Sequence, residues 1–214
     1  MILVSASDTA PVPWKNGGGV TRELLCLPRV DGAPADWGLR ISVADIDADG
    51  PFSPFPGITR WFAVLAGAGV RLRFRDRVLN VTRGDPPLCF DGADAPDCQL
   101  IAGSTRDLNV MVRADWGHVS LATAMVDDEA TLGHSRAIGL FALRPLRLHA
   151  ADTPPLEMPA LSLAWADPSA TDARAWWLEE FAHAAAAQAH TALSADAPSA
   201  PAGYWIRLGR PTAA

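Results

Sequence analysis

The chain predicts an all-β protein. Its apolar runs are short, its 17 glycines and 18 prolines fall between them, and in the clearest runs apolar and polar residues alternate one by one. One stretch departs from this. Asp172 to Leu193 is Ala-rich with Trp177, Phe181, Ala184 and Ala185 at helical spacing, which predicts one short helix near the C-terminus, followed by a Pro/Ala/Ser linker over Ser194 to Ala202. There is no exact repeat. Many strands precede about residue 115 and a thinner set follows it, as two related β-barrels would give.

The first distinctive element is Pro13-Trp14-Lys15-Asn16-Gly17-Gly18-Gly19-Val20-Thr21-Arg22-Glu23. Three consecutive glycines let the backbone turn sharply or pass close to a bound group. Lys15 is the only lysine among 18 basic residues, and Asn16 is one of three asparagines. Lysine is a compact point charge that arginine does not replace at a shaped site. The loop is either a tight turn with a solvated lysine or a functional loop. It is no Walker loop, because the lysine precedes the glycines and Val20 to Leu27 reads as a strand; the dinucleotide pattern is absent too.

Gly38 to Ile46 is the next strand. Leu39, Ile41 and Val43 form an apolar face, while Arg40 and Ser42 face the other way. Asp49-Gly50-Pro51-Phe52-Ser53-Pro54-Phe55-Pro56-Gly57 excludes regular structure, and its two phenylalanines either plug the loop onto the body or wall a pocket. Trp61 to Ala66 is a β run. Val70 to Arg77 predicts a strand that sets Arg71, Arg73, Arg75 and Arg77 on one face, solvated or open to an anion or partner. Val78 to Thr82, Leu88 to Phe90 and Cys98 to Ala102 are short strands. Arg106 to Arg113 alternates sharply: Leu108, Val110 and Val112 against Asp107, Asn109, Met111 and Arg113. Asn109 either faces a pocket, where it supplies a donor and an acceptor for a small polar ligand, or lies on a sheet face satisfied by water and neighbouring side chains. Five later runs, His118 to Met125, Ala137 to Leu143, Leu146 to Ala150, Leu161 to Trp165 and Tyr204 to Leu208, also read as strands.

Composition bounds the function. A net charge of −6 and a pI near 5.3 argue against non-specific nucleic-acid or anionic-membrane binding. No apolar run reaches membrane-spanning length, and Met1 to Ala6 lacks the charged region of a secretory leader. Cys26, Cys89 and Cys98 are odd in number and lack metal or redox spacing, so they read as thiols of a reducing, cytoplasmic compartment. No nucleophile elbow is present, and the five histidines, His118, His134, His149, His183 and His190, form no metal motif. Asp45, Asp47 and Asp49 read as an acidic strand end. Glu23 is the carboxylate placed nearest the glycine loop, as an acid or base or as the partner of an arginine.

Four stretches together resemble the HutD/Ves family: Pro13 to Glu23, Trp37 to Ile46, Asp49 to Arg60 and Asp107 to Arg113. The resemblance is firm over residues 10 to 115 and looser beyond. It implies a bicupin, with one cupin-type barrel over residues 1–115 carrying the pocket and a second over 116–214 that includes the helix-like insertion at about 172–193, with or without exchange of strands between the barrels. Phe55 to Asp85 resembles a cupin core, but the histidines of a metal-binding cupin are missing, so neither metal nor other cofactor is expected. The resemblance also implies a non-catalytic binder of a small metabolite, regulatory in histidine or amino-acid catabolism.

The expected site is a barrel mouth closed by the glycine loop. Lys15 and Arg40 would neutralise an anionic group, with the Gly17, Gly18 and Gly19 amides beside it. Asn16, Thr21, Ser42 and Asn109 would orient polar atoms, Phe55 and Met111 would supply apolar wall, and Glu23 would hold Arg22 or Arg40 or meet a ligand amine. A carboxylate of the urocanate or formylglutamate type fits that set. Two alternatives stand beside it: a metal-independent enzyme using Glu23 or Lys15 as acid or base, and a protein-interaction module using the Arg71 to Arg77 face. The expected partner is a small anionic metabolite, with no nucleic acid and no membrane; the oligomeric state is open, a homodimer included.

Overall fold

The computed structural model describes residues 1–29, 36–131, 133, 135–150, 153–166, 175–181 and 200–211. Among them the regular structure is nineteen strands and one 3-10 turn at Ala6–Asp8. In chain order the strands are β1 (Ile2–Ser5), β2 (Val12–Pro13), β3 (Gly19–Pro28), β4 (Trp37–Ile46), β5 (Gly50–Pro51), β6 (Ile58–Ala66), β7 (Val70–Arg73), β8 (Val78–Val81), β9 (Leu88–Asp91) and β10 (Asp97–Leu100). They continue with β11 (Thr105–Arg113), β12 (His118–Ala124), β13 (Glu129–Thr131), β14 (Ala137–Ala142), β15 (Leu146–Ala150), β16 (Leu156–Met158), β17 (Ser162–Ala166), β18 (Ala175–Glu180) and β19 (Gly203–Gly209).

Four antiparallel sheets result, in two pairs of the cupin type. The first pair is a six-stranded sheet, β2-β3-β4-β11-β6-β9, and a four-stranded one, β5-β10-β7-β8. The second is a five-stranded sheet, β1-β17-β14-β19-β12, and a four-stranded one, β13-β18-β15-β16. The N-terminal strand thus crosses over: Ile2 to Ser5 pair with Trp165 to Ser162.

Period-two alternation decides what each face of the six-stranded sheet meets. Leu108, Val110 and Val112 of β11 lie opposite Val43, Ile41 and Leu39 of β4. These six, with Ala63 and Leu65 of β6, pack against Val119, Phe141, Leu163, Tyr204 and Ile206 of the five-stranded sheet in one buried cluster. The residues between them must therefore point into the first sheet pair. Part of that interior is closed by Ile46, Phe52, Phe62, Val64, Leu72, Phe74, Phe90 and Cys98. The interior of the second pair is filled with apolar side chains, Trp176, Leu178 and Trp205 among them.

Two expectations need correction. Ala175–Glu180 is a strand, not helix: Trp176 and Leu178 alternate inward and pair through β15, so sheet packing overrides the alanine-rich helical pattern. Phe181 lies just beyond this strand; residues 172–174 and 182–193 of the expected helix and 194–199 of the linker lie outside the described residues, while Ala200 to Ala202 lead into β19. β7 ends at Arg73, so Arg75 and Arg77 sit in the turn before β8 and do not extend the arginine ladder. Arg77 lies over the Phe74 ring and pairs with Asp76. Among the described residues no helix is long and apolar enough to cross a membrane.

Candidate functional site

The glycine run shapes the rim of the site. Trp14 to Gly18 turn the chain from β2 into β3, with Trp14 N donating to Gly19 O at 2.9 Å and Gly17 N to Trp14 O at 3.0 Å. Gly17 has φ +71°, where glycine is favoured. Gly18 N donates to Asn16 Oδ1 at 3.1 Å, and Gly18 O accepts from Asp47 N at 2.9 Å. The amides of Gly17 and Gly18 are therefore occupied inside the loop, and none of the three glycines lines the cavity below. At Gly19 a Cβ would collide with the Asp45 carbonyl oxygen on the neighbouring strand. Gly19→Ala should prise β3 from β4 and lower stability by about 2–4 kcal/mol, read as a drop in the chemical-denaturation midpoint.

Beneath this rim is a cavity of about 680 Å³, within the range of metabolite sites. Lys15, Asn16, Thr21 and Glu23 reach it from the loop and β3, Arg40 and Ser42 from β4, Phe55 from the loop before β6, and Asn109 and Met111 from β11. So nine of the twelve residues singled out in the sequence converge on one hollow. Thr21 Oγ1 accepts the Trp14 indole N–H at 2.7 Å, which holds that ring against the wall.

The sequence reading passed over Arg60, on the inward face of β6. It is only 7% exposed, yet it lines the cavity. Its Nε donates to Asn109 Oδ1 at 2.8 Å. Its guanidinium carbon lies 4.3 Å from the centre of the Phe52 ring and 5.5 Å from that of Phe90. No described residue accepts a hydrogen bond from its two terminal nitrogens, and none forms an ion pair with it. Burial lowers its pKa to about 10, so the group stays a cation at neutral pH. The amide of Asn109 in turn donates to Asp107 Oδ1. Of the seven polar residues buried among those described, Ser42, Arg60, Asp107 and Asn109 gather here. Burying polar groups is unfavourable unless they are partnered, so such a concentration marks a built site.

A family model described as HutD matches residues 6–187. The chain belongs to the HutD family. It is 37% identical over 110 residues to an uncharacterised 21.2 kDa protein from the hutC 3′ region of Pseudomonas putida, covering 51% of this chain and 56% of that one. It is 36% identical over 103 residues to protein Ves of Citrobacter koseri, covering 48% and 52%. The chain thus spans about half the length of the curated relatives it matches. A crystal structure of a conserved protein of unknown function from Pseudomonas aeruginosa superposes with a TM-score of 0.76 at 26% identity, covering 98% of each chain.

In this HutD chain the mouth of the cavity carries a different electrostatic pattern from its floor. Glu23 accepts from Arg40 Nε at 2.7 Å, an ion pair at the rim. Arg22 turns instead to Asp45, which binds it at 2.7 Å and Arg106 at 2.6 Å. Burial pushes the Asp45 carboxyl up, but the hydrogen bonds from Arg106 and Arg22 outweigh it and leave its pKa below the ordinary value. Asp45 is therefore a clamp between β3, β4 and β11, and Asp49 accepts the Leu100 amide at 2.8 Å. Lys15 stays exposed at the rim with no ion-pair partner among the described residues. Among those residues no three His, Cys, Asp or Glu side chains come together as a metal set. A cavity floor formed by a guanidinium, a neutral amide and a thioether suits an anion, not a metal ion.

Arg60 had one signal in the sequence. It is the single charge in Ile58 to Ala66, and it shares a face with Phe62 and Val64. Asp107 was read on the correct face of β11 but was not assigned to the site.

Proposed function

We propose that this protein is a non-catalytic receptor for a small carboxylate metabolite, regulatory in histidine or related amino-acid catabolism. One observation carries the reading: a guanidinium almost wholly buried in a cavity wall, with both terminal nitrogens unpartnered by any described residue. A buried charge without a direct ion-pair partner is unfavourable, and Asp107 reaches Arg60 only through the intervening Asn109 amide. A carboxylate in the cavity supplies that counter-ion with two parallel charge-assisted hydrogen bonds. The flanking Phe52 and Phe90 rings hold the guanidinium, so its fork is preorganised. Phe55 and Met111 take the carbon body, and Lys15 and the Glu23–Arg40 pair at the rim meet further polar groups. The P. putida relative's place in a hut region supports a metabolite of the urocanate or N-formylglutamate type.

A thermal-shift series with urocanate, N-formylglutamate and the neutral amide of each tests this. At about a hundredfold excess over the dissociation constant, ligand binding stabilises by about 2.7 kcal/mol, a shift of several degrees. The expected result is a shift with an acid and none with its amide, and a smaller shift in Lys15→Ala. The ultraviolet band of urocanate should persist through prolonged incubation with the protein. Its decay would count against a non-catalytic role, and equal shifts in wild type and Lys15→Ala would remove Lys15 from the site.

A further inference from the structure

Behind the cavity wall lies a carboxyl that anion binding by Arg60 does not itself require. Asp107, two residues before Asn109 on β11, is 1% exposed. Its one hydrogen bond among the described residues comes from Asn109 Nδ2, while Asn109 Oδ1 accepts from Arg60 Nε at 2.8 Å. The amide of Asn109 can satisfy both neighbours in one orientation only, nitrogen toward Asp107 and oxygen toward Arg60. The three side chains thus form a line from the buried carboxyl to the cavity. The charged and titratable groups that act on Asp107 are Arg60 from β6 and the Cys98 thiol from β10 on its own side of the sheet, and Asp45 of β4 from the opposite face, where it is held by Arg22 and Arg106. No cation forms an ion pair with it among the described residues.

We propose that Asp107 is a positioning and affinity-determining residue of the Arg60 site: through Asn109 it fixes the guanidinium, and it takes up a proton from solvent when a carboxylate binds there. The proposal rests on Arg60 as the anion site. Ionised, Asp107 already balances the buried guanidinium through one intervening amide, and an arriving carboxylate would place two negative charges around one positive. Protonated, it leaves the whole charge of Arg60 to the ligand. The setting permits the change near neutral pH. Burial pushes the Asp107 carboxyl up to about 8; Arg60 and the Asn109 hydrogen bond oppose that rise, and Asp45 adds to it. Binding and protonation are then linked reciprocally, so the carboxylate also favours the protonated form.

The test is calorimetric titration of propionate, which remains ionised throughout, from about pH 6 to about pH 8.5, below the range in which Arg60 itself titrates, in buffers of different ionisation enthalpy. Wild type should lose roughly fourfold in affinity between about pH 7 and pH 8.5, with proton uptake per propionate rising steadily across that range. Asp107→Asn, which keeps an acceptor for Asn109, should show one affinity across the range and no buffer-dependent heat. The proton uptake is read on wild type, so the proposal stays falsifiable if that variant does not fold. Propionate binding that is lost in Arg60→Gln but flat with pH in wild type, or a wild-type slope retained in Asp107→Asn, overturns the coupling alone. Absence of propionate binding to wild type at every pH, or undiminished binding to Arg60→Gln, overturns the anion site and the coupling together.

Discussion

Arg60→Gln will bind urocanate or N-formylglutamate at least about a hundredfold more weakly than wild type at neutral pH, while its melting temperature stays close to the parent's. The first part follows from the geometry of the guanidinium. Each charge-assisted hydrogen bond contributes about 1.5–3 kcal/mol, and two of them to a guanidinium that is itself almost wholly buried correspond to a hundredfold or more. The second part follows from the cost of the cation. Arg60 is buried between two rings with one amide as its hydrogen-bond partner. Replacing it by a neutral amide removes an uncompensated desolvation penalty, which offsets the lost ring contacts. Arg60→Lys should fall between the two, because it keeps the charge and loses the planar fork. Titration calorimetry and a thermal melt on the same samples separate binding from folding. Equal affinities in wild type and Arg60→Gln would remove the guanidinium from the site.

Asp107→Asn will be more stable than wild type at alkaline pH, and the difference will vanish in acid. The carboxyl stands at about 8 in the folded protein against an ordinary value of 3.8. Below about pH 4 both folded and unfolded chains hold the proton, and the group contributes nothing to the pH dependence. Between the two values the folded protein holds a proton that the unfolded chain releases, so stability falls as pH rises. Above about pH 8 the loss is complete and constant. At about 1.4 kcal/mol per pH unit over about four units, the penalty is on the order of 5 kcal/mol, and a neutral asparagine of the same shape does not incur it. Urea melts of both proteins at acid, neutral and alkaline pH measure the gap. Stability curves that run parallel across that range would mean that Asp107 is ionised throughout in the native state.

The two faces of β4 and β11 were legible because a two-residue period needs no partner to be read. Leu39, Ile41 and Val43, like Leu108, Val110 and Val112, marked the buried side, which placed Arg40, Ser42, Asn109 and Met111 on the other. The hidden parts depend on pairing over long sequence distances. Arg60 turns inward because Met111 lies opposite it in the register of β6 and β11, a pairing across some fifty residues. Asp107 is dry because Cys98 and its neighbours on β10 belong to the sheet that closes over it. The glycine run was read as a ligand cradle, but the Gly17 and Gly18 amides serve the turn itself and the third glycine admits the Asp45 backbone. Tertiary pairing likewise decided Ala175–Glu180, where β15 and β13 on either side impose a strand on residues that favour helix.

A crystal structure with urocanate or N-formylglutamate tests the central claim most directly. The account predicts a carboxylate inside the cavity whose two oxygens accept from the terminal nitrogens of Arg60, with the carbon body against Met111 and Phe55. A ligand seated elsewhere, on the exposed Arg71 and Arg73 face for example, with Arg60 turned away from it, would contradict the account.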